Sequence, residues 1–282
     1  MIYLSLSILS STAIFILFKL FKKHNINTLH AIVVNYITAG TCGIVFSEQS
    51  TSFPAIVNSS WVYVAIALGF LFISIFNVMA LTAQKNGLSV ASVASKMSVI
   101  IPILFGILIY KESIGIQKTI GIILALVAVF LTSIKRKDDT VLTQSVYLPL
   151  LLFFGSGIID TSVNHFAPEN NIPLFLTVIF AVAGFIGIII SIYNVVQNES
   201  KFKFKAVPFG FALGTVNYGS MYFLLKALRI EGFESSNIFT INNVAIVGVS
   251  ALVGLILFKE HISKQNWLGI LIAIASIILV TI

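Results

Sequence analysis

The chain is written in apolar runs of about twenty residues, each closed by a short polar connector. A helix rises about 1.5 Å per residue, so one such run matches the ~30 Å hydrocarbon core of a bilayer. Ten runs qualify: 2–21, 28–47, 60–83, 88–110, 115–134, 146–166, 173–196, 207–228, 234–258 and 265–282. The longest connectors are 47–59, 135–145 and 197–206. Only the middle one, KRKDDTVLTQS, is strongly charged, and it falls between the fifth and sixth runs. The first run has no basic region before it and no small-residue cleavage site after it. It reads as a retained span, not a removable signal.

A second pattern lies over the first. Pro102–Leu131 contains Gly106, Lys111-Glu112, Ile114, Gln117 and Gly121; Ser250–Leu279 contains Gly254, Lys259-Glu260, Ile262, Gln265 and Gly269. The offset is 148 throughout (260 − 112). A repeat of half the chain predicts two related halves: a five-helix repeat over 1–134, a charged linker over 135–145 and a second five-helix repeat over 146–282. Five spans per half is odd, so the second half enters from the opposite side. The expected fold is an all-α integral membrane protein, with ten transmembrane helices built as two inverted five-helix repeats.

Composition agrees. Of 282 residues, 58% are hydrophobic and 10% charged, with a mean hydropathy of +1.04. Soluble domains average about 25% charged residues, so a soluble globule is excluded. The net charge of +7 would suggest nucleic acid in a soluble protein, but here the basic residues sit mostly in connectors. Twelve of them (Lys19, Lys22, Lys23, Lys85, Lys135, Arg136, Lys137, Lys201, Lys203, Lys205, Lys259, Lys264) fall on the face shared by the odd connectors. Four (Lys111, Lys118, Lys226, Arg229) fall on the other. The richer face is expected to be cytoplasmic, with both termini outside. The single Cys42 excludes a disulfide framework or a cysteine metal site, and no cofactor is expected.

The doubled Pro-x-x-x-Gly, Lys-Glu and Gln-x-x-x-Gly pattern resembles the EamA-like branch of the drug/metabolite transporter superfamily. Glu112 and Glu260 match the family's Gly-Glu turn. Lys stands where relatives carry Gly, Ser250 replaces the Pro of the first copy, and the first span lacks the relatives' Trp-Gly pair. The resemblance implies secondary transport, often export, of amino acids, nucleotide-linked sugars, drugs or other small metabolites across the plasma (inner) membrane.

Polar residues within the spans are the candidate site. A mid-bilayer charge costs roughly 3 kcal/mol and needs a partner or water. Lys96 lies about eight residues into the fourth span and shares a narrow stripe with Ser89 and Ser92. It is either an anchor for a substrate anion or a side chain that snorkels to the interface. Asp160 lies about fourteen residues into the sixth span, on an arc with Ser156, Gly157 and Asn164. It is either a proton- or cation-coupling carboxylate or substrate-amine ligand, or part of a structural ion pair or a hydrogen-bonded helix contact. A Lys96–Asp160 contact would have to bridge depths that differ by about 9 Å. In the ninth span Ser236, Thr240 and Asn243 share a stripe, and Val244 stands where the first repeat has Lys96. Asn77, Asn217 and Tyr218 are further candidates for the lining; Gly210 and Gly214 favour close helix approach. Glu112 and Glu260 are expected as structural turn residues that cap or lock the fifth and tenth helices. Those two helices are almost purely apolar and should face lipid or a second copy of the chain.

These features predict a transporter that works by alternating access around a central cavity. Its partners would be the bilayer, a small polar solute such as an amino acid, a coupled proton or cation, and a second copy, but no nucleic acid. No Gly-x-x-x-x-Gly-Lys-Ser/Thr loop supplies ATP hydrolysis. The rivals are a channel-like pore, for which no repeated filter sequence is present, and an intramembrane enzyme. The enzyme is disfavoured: Gly155-Ser156-Gly157 has no base in reach, since His165 lies about 13 Å further along the helix.

Overall fold

A computed structural model describes residues 2–46, 56–102, 104–105, 115–133, 147–166, 168, 172–197, 203–228, 235–260 and 262–281. These residues form ten helices and no strand: α1 (Ile2–Lys23), α2 (Thr28–Val45), α3 (Val62–Lys85), α4 (Leu88–Met97), α5 (Ile116–Ser133), α6 (Tyr147–Phe166), α7 (Ile172–Val196), α8 (Ala206–Leu228), α9 (Ser235–Phe258) and α10 (Lys264–Thr281). Five stretches are long and apolar enough to cross a bilayer: Ile2–Lys23, Thr28–Val45, Val62–Lys85, Pro173–Val196 and Ile241–Phe258. That is the signature of a membrane-embedded chain. Shorter apolar helices cover Leu88–Pro102, Thr119–Thr132, Tyr147–Val163 and Lys264–Leu279. The charged linker 135–145 and Lys111-Glu112 lie outside the described residues.

Local chemistry sets several helix starts. Asn27 caps α2, its side-chain oxygen accepting from the His30 N–H at 3.1 Å. Ser263 caps α10, its hydroxyl oxygen accepting from the Asn266 N–H at 3.2 Å.

The chain divides into two compact units, each drawing on both halves of the sequence. The first comprises 1–19, 78–161 and 219–282. Its core joins Val93 and Met97 of α4 to Ala125, Ala128 and Val129 of α5, Phe153 of α6, Val247 and Ala251 of α9, and Ile270, Ala273 and Ile277 of α10. Helices α5 and α10 approach closely. The buried Ser276 hydroxyl donates to the Gly121 carbonyl at 2.8 Å, and a Cβ at Gly269 would stand 2.7 Å from the Thr132 methyl. The other stripe of α5 (Ile116, Ile120, Ile123, Val127, Phe130) is exposed and wholly apolar. Its spacing of three and four residues makes it one continuous face.

The second unit comprises 20–77 and 162–218. Here α2 packs on α7, with Tyr36 fully buried between Phe76 and Phe180 at centroid distances of 5.7 and 6.0 Å. Helix α8 packs on α2 through Gly210 and Gly214: a Cβ at either would lie 2.6 Å from the carbonyl oxygen of Ala31 or Asn35. The glycines permit the approach expected of them.

The fourth run was expected as one helix over 88–110. The described part breaks into a turn at Ser98–Val99 and resumes as helix at Ile100. Pro102 is the cause. It has no N–H to give the Ser98 carbonyl, and its ring crowds that carbonyl four residues back. The Ser98 oxygen instead accepts from the Ile101 N–H at 2.9 Å, a tighter three-residue bond.

Candidate functional site

The break in α4 falls next to Lys96 and to Asp160 of α6, the two charged residues read from the sequence as lying well within spans. On its N-terminal side the stripe Ser89, Ser92 and Lys96 is present as the spacing predicts. Both serines are buried and Lys96 is half-buried. Ser92 turns its hydroxyl back to the Ser89 carbonyl at 2.9 Å. Within the break itself Ser98, buried, reaches Asp160 of α6: its Oγ lies 3.3 Å from Oδ2 and 2.6 Å from the Ser95 carbonyl.

One hydroxyl proton cannot serve both acceptors fully. An ionised Asp160 competes with the Ser95 carbonyl for it. A protonated Asp160 can donate its own proton to Ser98 Oγ and leave the Ser98–Ser95 bond intact. The geometry therefore accommodates either protonation state of the carboxyl. Asp160 itself is exposed. Lys96 and Asp160 lie near enough for their charges to attract, although no direct ion pair joins them among the described residues.

Helix α9 packs on α4 around Val247 and Ala251, with Val244 against the same core. Beside Val244, Asn242 and Asn243 are both buried, and among the described residues Asn242 Oδ1 has no hydrogen-bond partner. Thr240 belongs to α9, but its side chain and that of Asn164 lie outside the described residues.

The remaining candidates belong to the second unit. Asn217 donates to Asn35 Oδ1 at 3.2 Å, both residues buried. Tyr218 stacks on Phe46 with centroids 5.7 Å apart. Asn77 donates to the carbonyl of Ile73 on its own helix at 2.8 Å. These contacts use the polar groups as helix-to-helix and local bonds, and they do not join Lys96 and Asp160 in one unit.

Glu260 occupies the turn between α9 and α10, where Lys259 takes a left-handed φ of 50°. Its carboxylate pairs with Lys19 at 2.6 Å and accepts the Leu88 N–H at 3.0 and 3.1 Å. It therefore caps α4, not the fifth or tenth helix that its place in the repeat suggested. The reason is local. Gly87, at φ 110°, precedes α4 and has no side chain to cap it. A Cβ at Gly87 or Gly254 would come within 3.0 or 2.7 Å of the Glu260 carboxylate, so both glycines make room for it.

Sequence reasoning missed Ser98, and the signal for it was present. A proline four residues downstream frees a carbonyl and breaks a helix at that place. Among the described residues no group of three or more His, Cys, Asp or Glu side chains could hold a metal.

No protein-family model matches the chain. It is similar to a protein of Haemophilus influenzae (strain ATCC 51907 / DSM 11121 / KW20 / Rd) that bears the name "Uncharacterized protein". The two are 30% identical over 280 residues, covering 96% of this chain and 94% of that protein. A crystal structure described only as that of a "protein" superposes with a TM-score of 0.56 at 12% identity. The match covers 97% of this chain and 96% of the other, a likeness of fold alone.

Proposed function

We propose that this chain, which belongs to the same family as the Haemophilus influenzae protein, is a multi-pass membrane transporter of a small polar solute such as an amino acid. In this reading it lies in the plasma (inner) membrane as ten spans in two inverted five-helix repeats. It is akin to the EamA-like branch of the drug/metabolite transporters, exports its solute, and works by alternating access.

The observation that carries the proposal is the broken α4. Transporters place solute and coupling ions where a membrane helix is interrupted, because the break frees backbone polar groups within the membrane. Here the interruption at Ser98–Val99 begins two residues after Lys96 and contains the Ser98 that contacts Asp160. A cation and a carboxylate within one apolar bundle suit the two ends of a zwitterion. A carboxyl that can be held in both protonation states suits coupling to protons. The repeat has further support: α5 and α10 begin at 116 and 264 and end at 133 and 281, an offset of 148 at both ends.

The test is thermal unfolding of the purified protein against amino acids, sugars, nucleotides and amines. A ligand at about 100 times its Kd stabilises by roughly 2.7 kcal/mol. A stabilising amino acid whose effect disappears in Asp160→Asn and Lys96→Ala is the expected result. A ligand that still stabilises both variants as it does the wild type contradicts the site assignment.

A further inference from the structure

Two connectors meet at one end of the second unit. Helix α1 closes with Lys22 and Lys23, and Asn25 turns the chain at a left-handed φ of 52°. The other connector runs Lys203-Phe204-Lys205 into the start of α8 at Ala206. Three contacts fasten the two together. Lys205 Nζ donates to the His24 carbonyl at 3.1 Å. The ring of Phe209 on α8 meets the fully buried Phe21 edge-on at 5.9 Å and His24 at 5.6 Å.

The junction gathers charge of one sign. Lys22, Lys23, Lys203 and Lys205 are all exposed, and among the described residues this unit has no other Lys or Arg and no Asp or Glu. Glu199 and Lys201 lie outside the described residues. An apolar stripe leads away from the lysines. Phe204 is 82% exposed, and Val207 and Phe211, exposed on α8, follow it at spacings of three and four residues. Lysines in these connectors follow from the orientation of the chain alone. That rule does not require two connectors to be fastened side by side, nor an exposed aromatic stripe beneath them.

We propose that this end of the second unit binds an anionic phospholipid. Lys23, Lys203 and Lys205 surround its phosphate, and Phe204, Val207 and Phe211 lie along an acyl chain. Clustered lysines at the end of a membrane helix attract anionic headgroups, and several ammonium donors suit phosphate oxygens. A water-soluble anion would use the lysines and leave the stripe uncovered; an amphiphile uses both. The proposal needs a membrane-embedded chain and nothing from the transport reading.

Fluorescence quenching tests it. The full-length protein carrying Phe204→Trp is placed in mixed vesicles of phosphatidylcholine and phosphatidylglycerol, with one or the other lipid brominated on its acyl chains. The wild type, with Trp61 and Trp267, supplies the background. Brominated phosphatidylglycerol is expected to quench the probe at 204 with an apparent affinity about fivefold or more above that of phosphatidylcholine. Adding Lys23→Gln with Lys203→Gln abolishes the preference, and Lys23→Arg with Lys203→Arg keeps it; unfolding temperatures report that both pairs fold. Tyr63→Trp is the control. Tyr63 is exposed beside Trp61, which packs on Phe175 at the opposite end of the 25-residue α7 from this junction. There the two lipids should quench alike. Equal quenching by both lipids at 204 overturns the proposal. So does a preference that survives in the glutamine pair, or an equal preference at 63.

Discussion

Asp160 stands about fourteen residues into an apolar helix, exposed, with the Ser98 hydroxyl at 3.3 Å. A carboxylate at that depth is tolerated only when donors and water reach it. Ser98 is its hydrogen-bond partner and Lys96 its nearby countercharge. Ser98→Ala is therefore expected to weaken ligand binding about tenfold while leaving the fold intact, because a hydrogen bond to a charged group contributes roughly 1.5–3 kcal/mol. Isothermal titration with the stabilising solute measures it; an unchanged Kd contradicts a working Ser98–Asp160 contact. At this scale the sequence was partly legible. Charge and depth marked Lys96 and Asp160 without any structure. Ser98 was hidden because its role comes from the break that Pro102 imposes, not from its own type. Asn217 was legible as polar but not as the partner of Asn35, which lies 182 residues away.

Among elements, the glycine contacts and the Glu260 cap do the fastening. Gly214→Ala drives a methyl to within 2.6 Å of the Asn35 carbonyl and 2.5 Å of Thr38 Cβ. Backbone cannot yield as a flexible side chain does, so a loss of about 1–3 kcal/mol is expected. Gly248→Ala on α9 meets nothing within 4 Å and should be neutral or slightly stabilising. Thermal unfolding of the two variants side by side checks the pair; equal effects contradict the packing described. Glu260→Ala removes the ion pair to Lys19 and the cap of α4 together, with side chains only 21% and 12% exposed. Its expected cost is about 3 kcal/mol, with Glu260→Gln smaller because the amide oxygen still accepts the Leu88 N–H. A Glu260→Ala variant as stable as the wild type would contradict this. Apart from the fourth run, expected to 110 but broken after Met97, helix positions were legible from the apolar runs to within a few residues. The helix that Glu260 caps was not, since only folding brings the turn at 260 to the glycine at 87.

For the molecule as a whole, the topology we propose threads the membrane many times, with the basic connectors on the cytoplasmic side. In a Cys42→Ser background, single cysteines placed at Lys85, Arg136 and Lys203 should react with an impermeant thiol reagent only from the cytoplasmic side. Labelling of any of them from outside contradicts the orientation. The exposed apolar stripe of α5 was foreseen because that run has almost no polar residue. The division into two units, each drawing on both halves of the sequence, was not, because periodicity along the chain says nothing about which segments meet.

The most direct measurement of the central claim is flux. Purified protein in sealed proteoliposomes is loaded with a labelled amino acid that stabilises it, and exit is followed against unlabelled competitor. The account predicts saturable, stereospecific movement that Asp160→Asn abolishes in correctly folded protein. Movement that rises linearly with concentration, or that Asp160→Asn leaves at the wild-type rate, would contradict it.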